Sequence, residues 1–405
     1  MTTSVIDFPV KPEARPYLDA FAGAANEPDW LARFRKHGIS RFAEQGFPSR
    51  RSEGWRYLDL RGLQDRPRLP AAAETRLPEI TRAGLWLGPI AKAIAERPDL
   101  LRRALEDEGD EAFAALNAAF FAGGFVLDIG PGATAEQPIE IVHAASSGGS
   151  IHTKTLINLA ADSRATLFET YAGDGAYWRN DVVDIRLGPG AVLDRVVCVE
   201  EGAGAVHIGD VRVTLGPGAQ FGAFALVLGG KTVRHELSVA MAGEGARCRI
   251  DGGFVVGGDD EANIVTTIDH RAPGGTTREL VKGVAAGRGH GAFQGTIRVR
   301  EGAQQTDAQQ TSRNLIIGRR AVIDTKPELE ILADDVKCAH GASVGDLDEA
   351  ALFYLRARGI PDDEARRLLV EGFVREAVER VADAGVRERL LERLGARLER
   401  LEGGR

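Results

Sequence analysis

Two side chains capable of metal or nucleophile chemistry stand two residues apart in "VKCAHGASVG" (336–345): Cys338 and His340. In a β-strand, residues i and i+2 project to the same face. A thiolate and an imidazole would then enter one volume, as ligands for iron or zinc or as a nucleophile with its base. Either chemistry needs more than these two groups. Zinc and Fe–S sites normally take three or four protein ligands, and a nucleophile pair needs a third group to orient the histidine. Neither complement lies nearby in the sequence. An inert thiol beside a structural histidine is the plain alternative, and the residues alone leave the two readings level.

A second stretch, "DTKPELE" (324–330), alternates Asp324, Lys326, Glu328 and Glu330 on one strand face. Clustered carboxylates with a base are what a β-helix lyase or hydrolase acting on carbohydrate would use. A solvated strand face explains the same pattern and is the simpler reading. The HExxH and P-loop patterns are absent. Gly-rich fragments fall at strand corners without a following helix, which excludes a dinucleotide fingerprint. His143, His152, His207, His235, His270 and His290 each stand alone in strand-like context, where a structural role is the usual one. A left-handed β-helix acyltransferase would need a six-residue repeat, and none is present.

The elements that must position these residues fall into three textures. Residues 1–122 carry mostly helical spacing, interrupted by an extended Pro- and Ala-rich connector, "RPRLPAAAETRLPE" (66–79). After it, "LWLGPIAKAIAERPDLLRRALE" and "DEAFAALNAAFFAGG" read as helix again. Residues 123–345 switch to period two in short β-branched runs such as "TLFETYA", "DVVDIRL", "DRVVCVE" and "GTIRVR". Their corners repeat. Ala191, Ala219, Ala246, Gly275 and Ala303 form one series, and Ala176, Ala205, Lys231, Ala262, Ala292 and Ala321 form a second between them. Two interleaved series of one period predict a parallel β-helix whose coils each hold two strands and two corners.

Residues 346–405 return to helix. Asp346 and Asp348 precede the first helix, Gly359 ends it, and Pro361 opens the next with Asp362, Asp363 and Glu364 in its first turn. Ala365, Leu368, Leu369, Phe373, Ala377 and Val381 form the expected apolar stripe. The expectation is a small helical bundle capping the end of the solenoid.

Composition narrows function further. The chain has 405 residues, 49 of them glycine, and a net charge of −8. No basic block suggests nucleic acid, and no apolar run is long enough to span a membrane. No basic segment followed by an apolar run opens the sequence, so a cytoplasmic location is expected. Cys198, Cys248 and Cys338 are widely spaced and odd in number, which fits reduced thiols.

The stretch "EGAQQTDAQQTSRNLIIGRRAVIDTKPELEILADDVKCAHGASVGDLDEAALFYLRARGI" (301–360) closely resembles the C-terminal signature of the SufD branch of the SufB/SufD family, part of the SUF iron–sulfur cluster assembly system. "PSRRSEGWRYLDL" (48–60) and "FAALNAAFFAGGFVLDI" (113–129) resemble the family's N-terminal elements, so the likeness runs nearly the full length. It implies a right-handed parallel β-helix core flanked by N-terminal and C-terminal α-helical domains. It also implies a non-catalytic scaffold that pairs with a SufB-like paralogue and binds a SufC-like ATPase through the C-terminal helices. Cys338 and His340 would lie at the paralogue interface, with His340 the stronger candidate ligand. The Fe–S cluster or iron would be transient and shared with the partner, with none stable on the isolated chain, which is expected to be capable of homodimer formation. Ser312 stands where the SufB branch carries a cluster-linked cysteine, and Ala339 departs from the commoner Ser or Thr.

Overall fold

Runs of alternating β-branched residues, mostly ten long and separated by corners of small residues, wind into a two-sheet solenoid. The computed structural model describes residues 9–22, 27–105, 111–146 and 148–403. The opening residues 1–8, parts of two expected helical runs (23–26 and 106–110), residue 147 and the last two residues lie outside them.

The solenoid begins with β3 (Phe125–Ile129) and β4 (Ile139–Ala145), preceded by two short strands, β1 (Glu74–Arg76) and β2 (Leu85–Pro89). β5 (Ser150–Leu159), β6 (Arg164–Gly173), β7 (Trp178–Leu187), β8 (Val192–Glu200), β9 (Val206–Leu215) and β10 (Gln220–Gly229) continue it. Next come β11 (Thr232–Met241), β12 (Arg247–Val256), β13 (Glu261–His270) and β14 (Thr276–Ala286). β15 (His290–Val299), β16 (Thr306–Ile317), β17 (Val322–Ile331) and β18 (Val336–Gly345) complete it. Even-numbered strands from β4 to β18 form one parallel sheet, and odd-numbered strands from β3 to β17 form the other. Ala191, Ala219, Ala246 and Gly275 each stand immediately before an even strand, as the corner series predicts. The two sheets enclose an apolar core that includes Leu167, Leu193, Val213, Phe221, Leu237, Ile250 and Ile297.

Of two N-terminal stretches that add strands to the solenoid, the connector is extended as expected and the second departs from its helical reading. The connector holds β1, which pairs antiparallel with β4, and "LWLGP" is β2, which pairs antiparallel with β3. A short apolar run reads equally as strand or buried helix, and here the free edge of the first coil settles it as strand. The N-terminal helices are α1 (Arg15–Ala20), α2 (Asp29–Gln45), α3 (Arg61–Gln64), α4 (Ile90–Glu96), α5 (Pro98–Leu105) and α6 (Ala112–Phe120). Their aromatic core of Tyr17, Phe42, Phe47, Trp55 and Phe113 closes on Trp178 and Ile208, outward side chains of the odd sheet. The "SEGWRYLDL" stretch is pinned there by Arg234, whose guanidinium lies 4.0 Å from the Trp55 ring and donates to the Gly54 carbonyl at 2.8 Å.

The C-terminal helices are α7 (Glu349–Ala357), α8 (Asp362–Val378) and α9 (Ala384–Gly403). Asp348 caps α7 by accepting from the backbone N–H of Ala350 and Ala351 at 2.8 and 3.2 Å. Gly359 takes φ +87° just past the helix end, a conformation that costs glycine little. The bundle does not cap the solenoid. α8 and α9 lie along its flank, where Val370, Val374, Val378, Leu390 and Leu394 bury the outward apolar side chains of the even sheet: Phe168, Val196, Cys198, Phe224 and Leu226. The expected α8 stripe is partly displaced, with Leu368 exposed and Val370, Val374 and Val378 forming the seam. The last coil is therefore left open. Among the described residues, no helix is long and apolar enough to cross a membrane.

Candidate metal or cluster site at the open end of the solenoid

Strand register decides which way the Cys338 and His340 side chains point. On β16, Thr306, Ala308, Gln310, Ser312 and Asn314 are buried, whereas Gln309 and Arg313 are exposed. The first set faces the interior. Ala308 pairs with Cys338 and Gln310 with His340, so both side chains face the interior as well. The sequence expectation of a shared face is met, and that face is the inside of the last coil. Among the described residues no strand follows β18 in its sheet or β17 in the other, so the interior opens there to solvent. Cys338 is half-buried and packs against the core, while His340 is exposed.

Burial pushes the Cys338 thiol above its usual pKa, opposed by a backbone hydrogen bond with Ala308. The group is thus a thiol at neutral pH, and a metal must displace its proton. Thiolate and imidazole together suit iron or zinc. Two donors are too few for a closed site. Among the described residues, no group of three His, Cys, Asp or Glu side chains is arranged to hold a metal ion. The other thiols cannot help. Cys198 faces outward beneath the C-terminal helices with its pKa raised to about 12 by burial, and Cys248 is buried in the core. Ser312, inward on β16, is fully buried and its hydroxyl accepts from the Asn314 amide at 2.9 Å.

The carboxylates of "DTKPELE" point the other way, outward from β17, and each has a partner. Asp324 meets His290 at 2.8 Å, Lys326 meets Glu53 at 2.6 Å and Glu328 at 3.0 Å, and Glu330 meets Arg298 at 2.8 Å. They form an outer strand face, partly solvated as the simpler reading expects and held by hydrogen bonds and ion pairs, turned away from the interior that the thiol and imidazole of β18 face. A groove of about 780 Å³ adjoins this face, lined by Trp55, Glu111, Arg234 and Lys326, and its lining includes no cysteine or histidine. Residues 341–345 also spell G-x-S-x-G. A nucleophile elbow needs a strand-to-helix turn, and these five residues lie within β18, so the match is one of letters only.

Two side chains adjoin the site that motif reading passes over, Glu279 and Gln310. They precede His340 by two coils and one coil on the same rung. The signal available in the sequence was their spacing, which is the coil period. The six lone histidines also separate: inside the solenoid His143 joins Arg195 on the buried Glu169, and His207 joins Arg179 on the buried Glu201.

The open end has one further property. β17 and β18 each present an edge ten residues long that is unpaired among the described residues, with Val322, Ile331 and Val344 exposed on the strands and Leu332 exposed just past β17. Protection is slight: Pro327 removes one donor from β17. The fold is that of a parallel β-helix protein, with a thiol and an imidazole on the inner face of its last coil and two strand edges that no described residue pairs. Residues 141–373 match the family model described as "SUF system FeS cluster assembly, SufBD core domain", and the chain belongs to this family. It is similar to the iron–sulfur cluster assembly protein SufD of Escherichia coli, 27% identical over 386 residues that cover 89% of this chain and 91% of that protein. It is also similar to the chloroplastic protein ABCI7 of Arabidopsis thaliana, at 27% over 400 residues covering 88% and 84% of the two chains. SufD of Bacillus subtilis shows 27% identity over 332 residues, 77% and 74% of the two chains.

Proposed function

We propose that this chain is a non-catalytic scaffold subunit of SUF iron–sulfur cluster assembly, offering Cys338 and His340 as half of a cluster or iron site that a SufB-like paralogue completes. The observation that carries this reading is the uncapped last coil, with both ligands facing its open interior between two unpaired strand edges. A partner strand added to β17 or β18 satisfies the free backbone groups and brings its own side chains to the mouth. A partner's contribution is supported by the two-donor set on this side, to which no third His, Cys, Asp or Glu ligand is added among the described residues.

A SufC-like ATPase docks on the C-terminal helices, where Phe353 and Tyr354 stand 72% and 57% exposed on α7. The cluster is cargo, transient on the complex and absent from the isolated chain. The site serves in a cytoplasmic complex, without nucleic acid or membrane. The carbohydrate-enzyme reading is not favoured, since its carboxylates lie on the outer face, where Asp324 is hydrogen-bonded to His290 and Glu328 and Glu330 are ion-paired.

The test is co-purification with the candidate partners followed by anaerobic reconstitution and iron and sulfide analysis. Stoichiometric cluster is expected only in the complex. Stable cluster on the pure, partner-free chain, or none with the partner present, overturns the reading.

A further inference from the structure

Behind His340 the solenoid interior is polar along one rung. Glu279 on β14 pairs in register with Gln310 on β16, and Gln310 pairs with His340 on β18. Glu279 and Gln310 are 4% and 1% exposed. The Gln310 amide donates through Nε2 to Glu279 Oε2 at 2.7 Å, back toward the interior. The carbonyl oxygen of the same amide, Gln310 Oε1, is buried and has no hydrogen-bond partner. Space for this amide is reserved: a Cβ at Gly295 on the facing sheet would lie 2.3 Å from Gln310 Nε2.

A buried acceptor without a donor costs on the order of 1–3 kcal/mol and calls for an explanation. The next side chain on the rung, about 4.8 Å away backbone to backbone, is the imidazole of His340. An imidazole that binds metal through one nitrogen commonly donates its other N–H to a carboxylate or carbonyl, which fixes tautomer and ring orientation. An amide whose nitrogen is already engaged by a carboxyl presents only its oxygen to such a ring.

We propose that Gln310, held by Glu279, is the positioning residue for His340: one ring N–H donates to Gln310 Oε1, leaving the other nitrogen's lone pair directed out of the mouth. Glu279 acts one step further back, by keeping the amide from turning its NH₂ toward the ring. The assignment deepens the proposed function and rests on His340 as a metal ligand for its purpose, though not for its geometry. It also accounts for a glutamine in the solenoid interior, where an apolar residue would pack at lower cost.

The test uses the full chain labelled with ¹⁵N-histidine, read by NMR at about pH 8, above the ordinary histidine pKa. In the wild-type chain His340 should hold one tautomer, and in Gln310→Met, which keeps side-chain length without the amide, it should interconvert as a free imidazole does. A freely interconverting His340 in the wild type overturns the proposal without need of any variant. So does a held tautomer that Gln310→Met leaves unchanged. In the complex with its paralogue, Gln310→Met should weaken Fe²⁺ binding by about 10–100-fold. A tautomer released by the substitution with Fe²⁺ affinity unaltered overturns the role toward the metal. If His340→Ala leaves Fe²⁺ binding intact while the wild-type tautomer is held, the ligand reading fails and the orientation by Gln310 stands.

Discussion

Arg195 and Glu169 meet inside the β-helix with Nε and Oε1 2.6 Å apart, both almost wholly removed from solvent. His143 takes the other carboxylate oxygen at 2.9 Å and stacks on Tyr171 at 4.3 Å between ring centres. Burial by itself would raise the Glu169 pKa; the Arg195 charge and the His143 hydrogen bond outweigh it and hold the group at about 2. Removing one partner from a buried pair leaves a charge without compensation, so Arg195→Met should cost about 3–5 kcal/mol in a urea melt at neutral pH. The carboxylate's contribution is present above its unfolded pKa near ~4.3 and is lost as pH falls toward 2. The penalty of the variant should therefore shrink in acid. A variant as stable as wild type at pH 7 contradicts this account.

Glu279 behaves in the opposite sense. Burial raises its pKa to about 7, against the hydrogen bonds it accepts. Its folded form holds a proton that the unfolded chain has released, so its contribution is present below about 4.3 and lost as pH rises through 7. Above that, the ionised group costs roughly 3–4 kcal/mol by the size of the shift. Glu279→Gln, neutral at every pH, should be more stable than wild type at pH 8–9, with the difference vanishing near pH 4. Thermal melts across that range check it, and an equal or lower Tm for the variant at pH 9 rules it out.

Much of this architecture was legible in the residues. "DVVDIRL" falls within β7, and the Ala191–Ala219–Ala246 series marks the corners before β8, β10 and β12 because stacked coils crowd those positions. The common face of Cys338 and His340 followed from strand parity alone. Which face was interior did not. Helices cover the outer sides of both sheets, so a strand such as β5 is buried at nearly every position and its alternation carries no direction. The resting place of α8 and α9 was hidden for a related reason. It depends on Phe168, Val196 and Phe224, outward residues of three separate strands that adjoin only after the coils stack. The rung from Glu279 through Gln310 to His340 likewise exists only in register.

The flank position of α8 and α9 changes how the proposed ATPase surface must be probed. Deleting residues 346–403 would strip cover from Phe168, Cys198, Phe224 and Leu226 and destabilise the core, so loss of binding would be ambiguous. Phe353 offers a cleaner variable, since it is 72% exposed and contributes little to folding. Phe353→Ser should leave the melting curve within about 0.5 kcal/mol of wild type. It should weaken ATPase binding at least tenfold, as loss of an exposed aromatic anchor does at many interfaces. Unchanged affinity in a direct titration would place the docking surface elsewhere.

Cys338 and His340 are unequal partners, and the structure says in what way. His340 is exposed at the mouth and makes no burial contribution to the fold, whereas Cys338 packs against the core with a thiol whose pKa burial has raised. A partner subunit with thiolates of its own can replace a missing sulfur more easily than a missing imidazole, because imidazole ligation also depends on the group that orients the ring, here the proposed Gln310 amide. His340→Ala should therefore fold as wild type and reduce cluster formation by the reconstituted complex at least tenfold, measured as iron and sulfide per complex under anaerobic conditions. Cys338→Ala should show the reverse balance, with a loss of stability of about 1 kcal/mol from the vacated volume and a smaller fall in cluster yield. Full cluster yield with His340→Ala would return this pair to the inert reading, a structural thiol beside an exposed histidine.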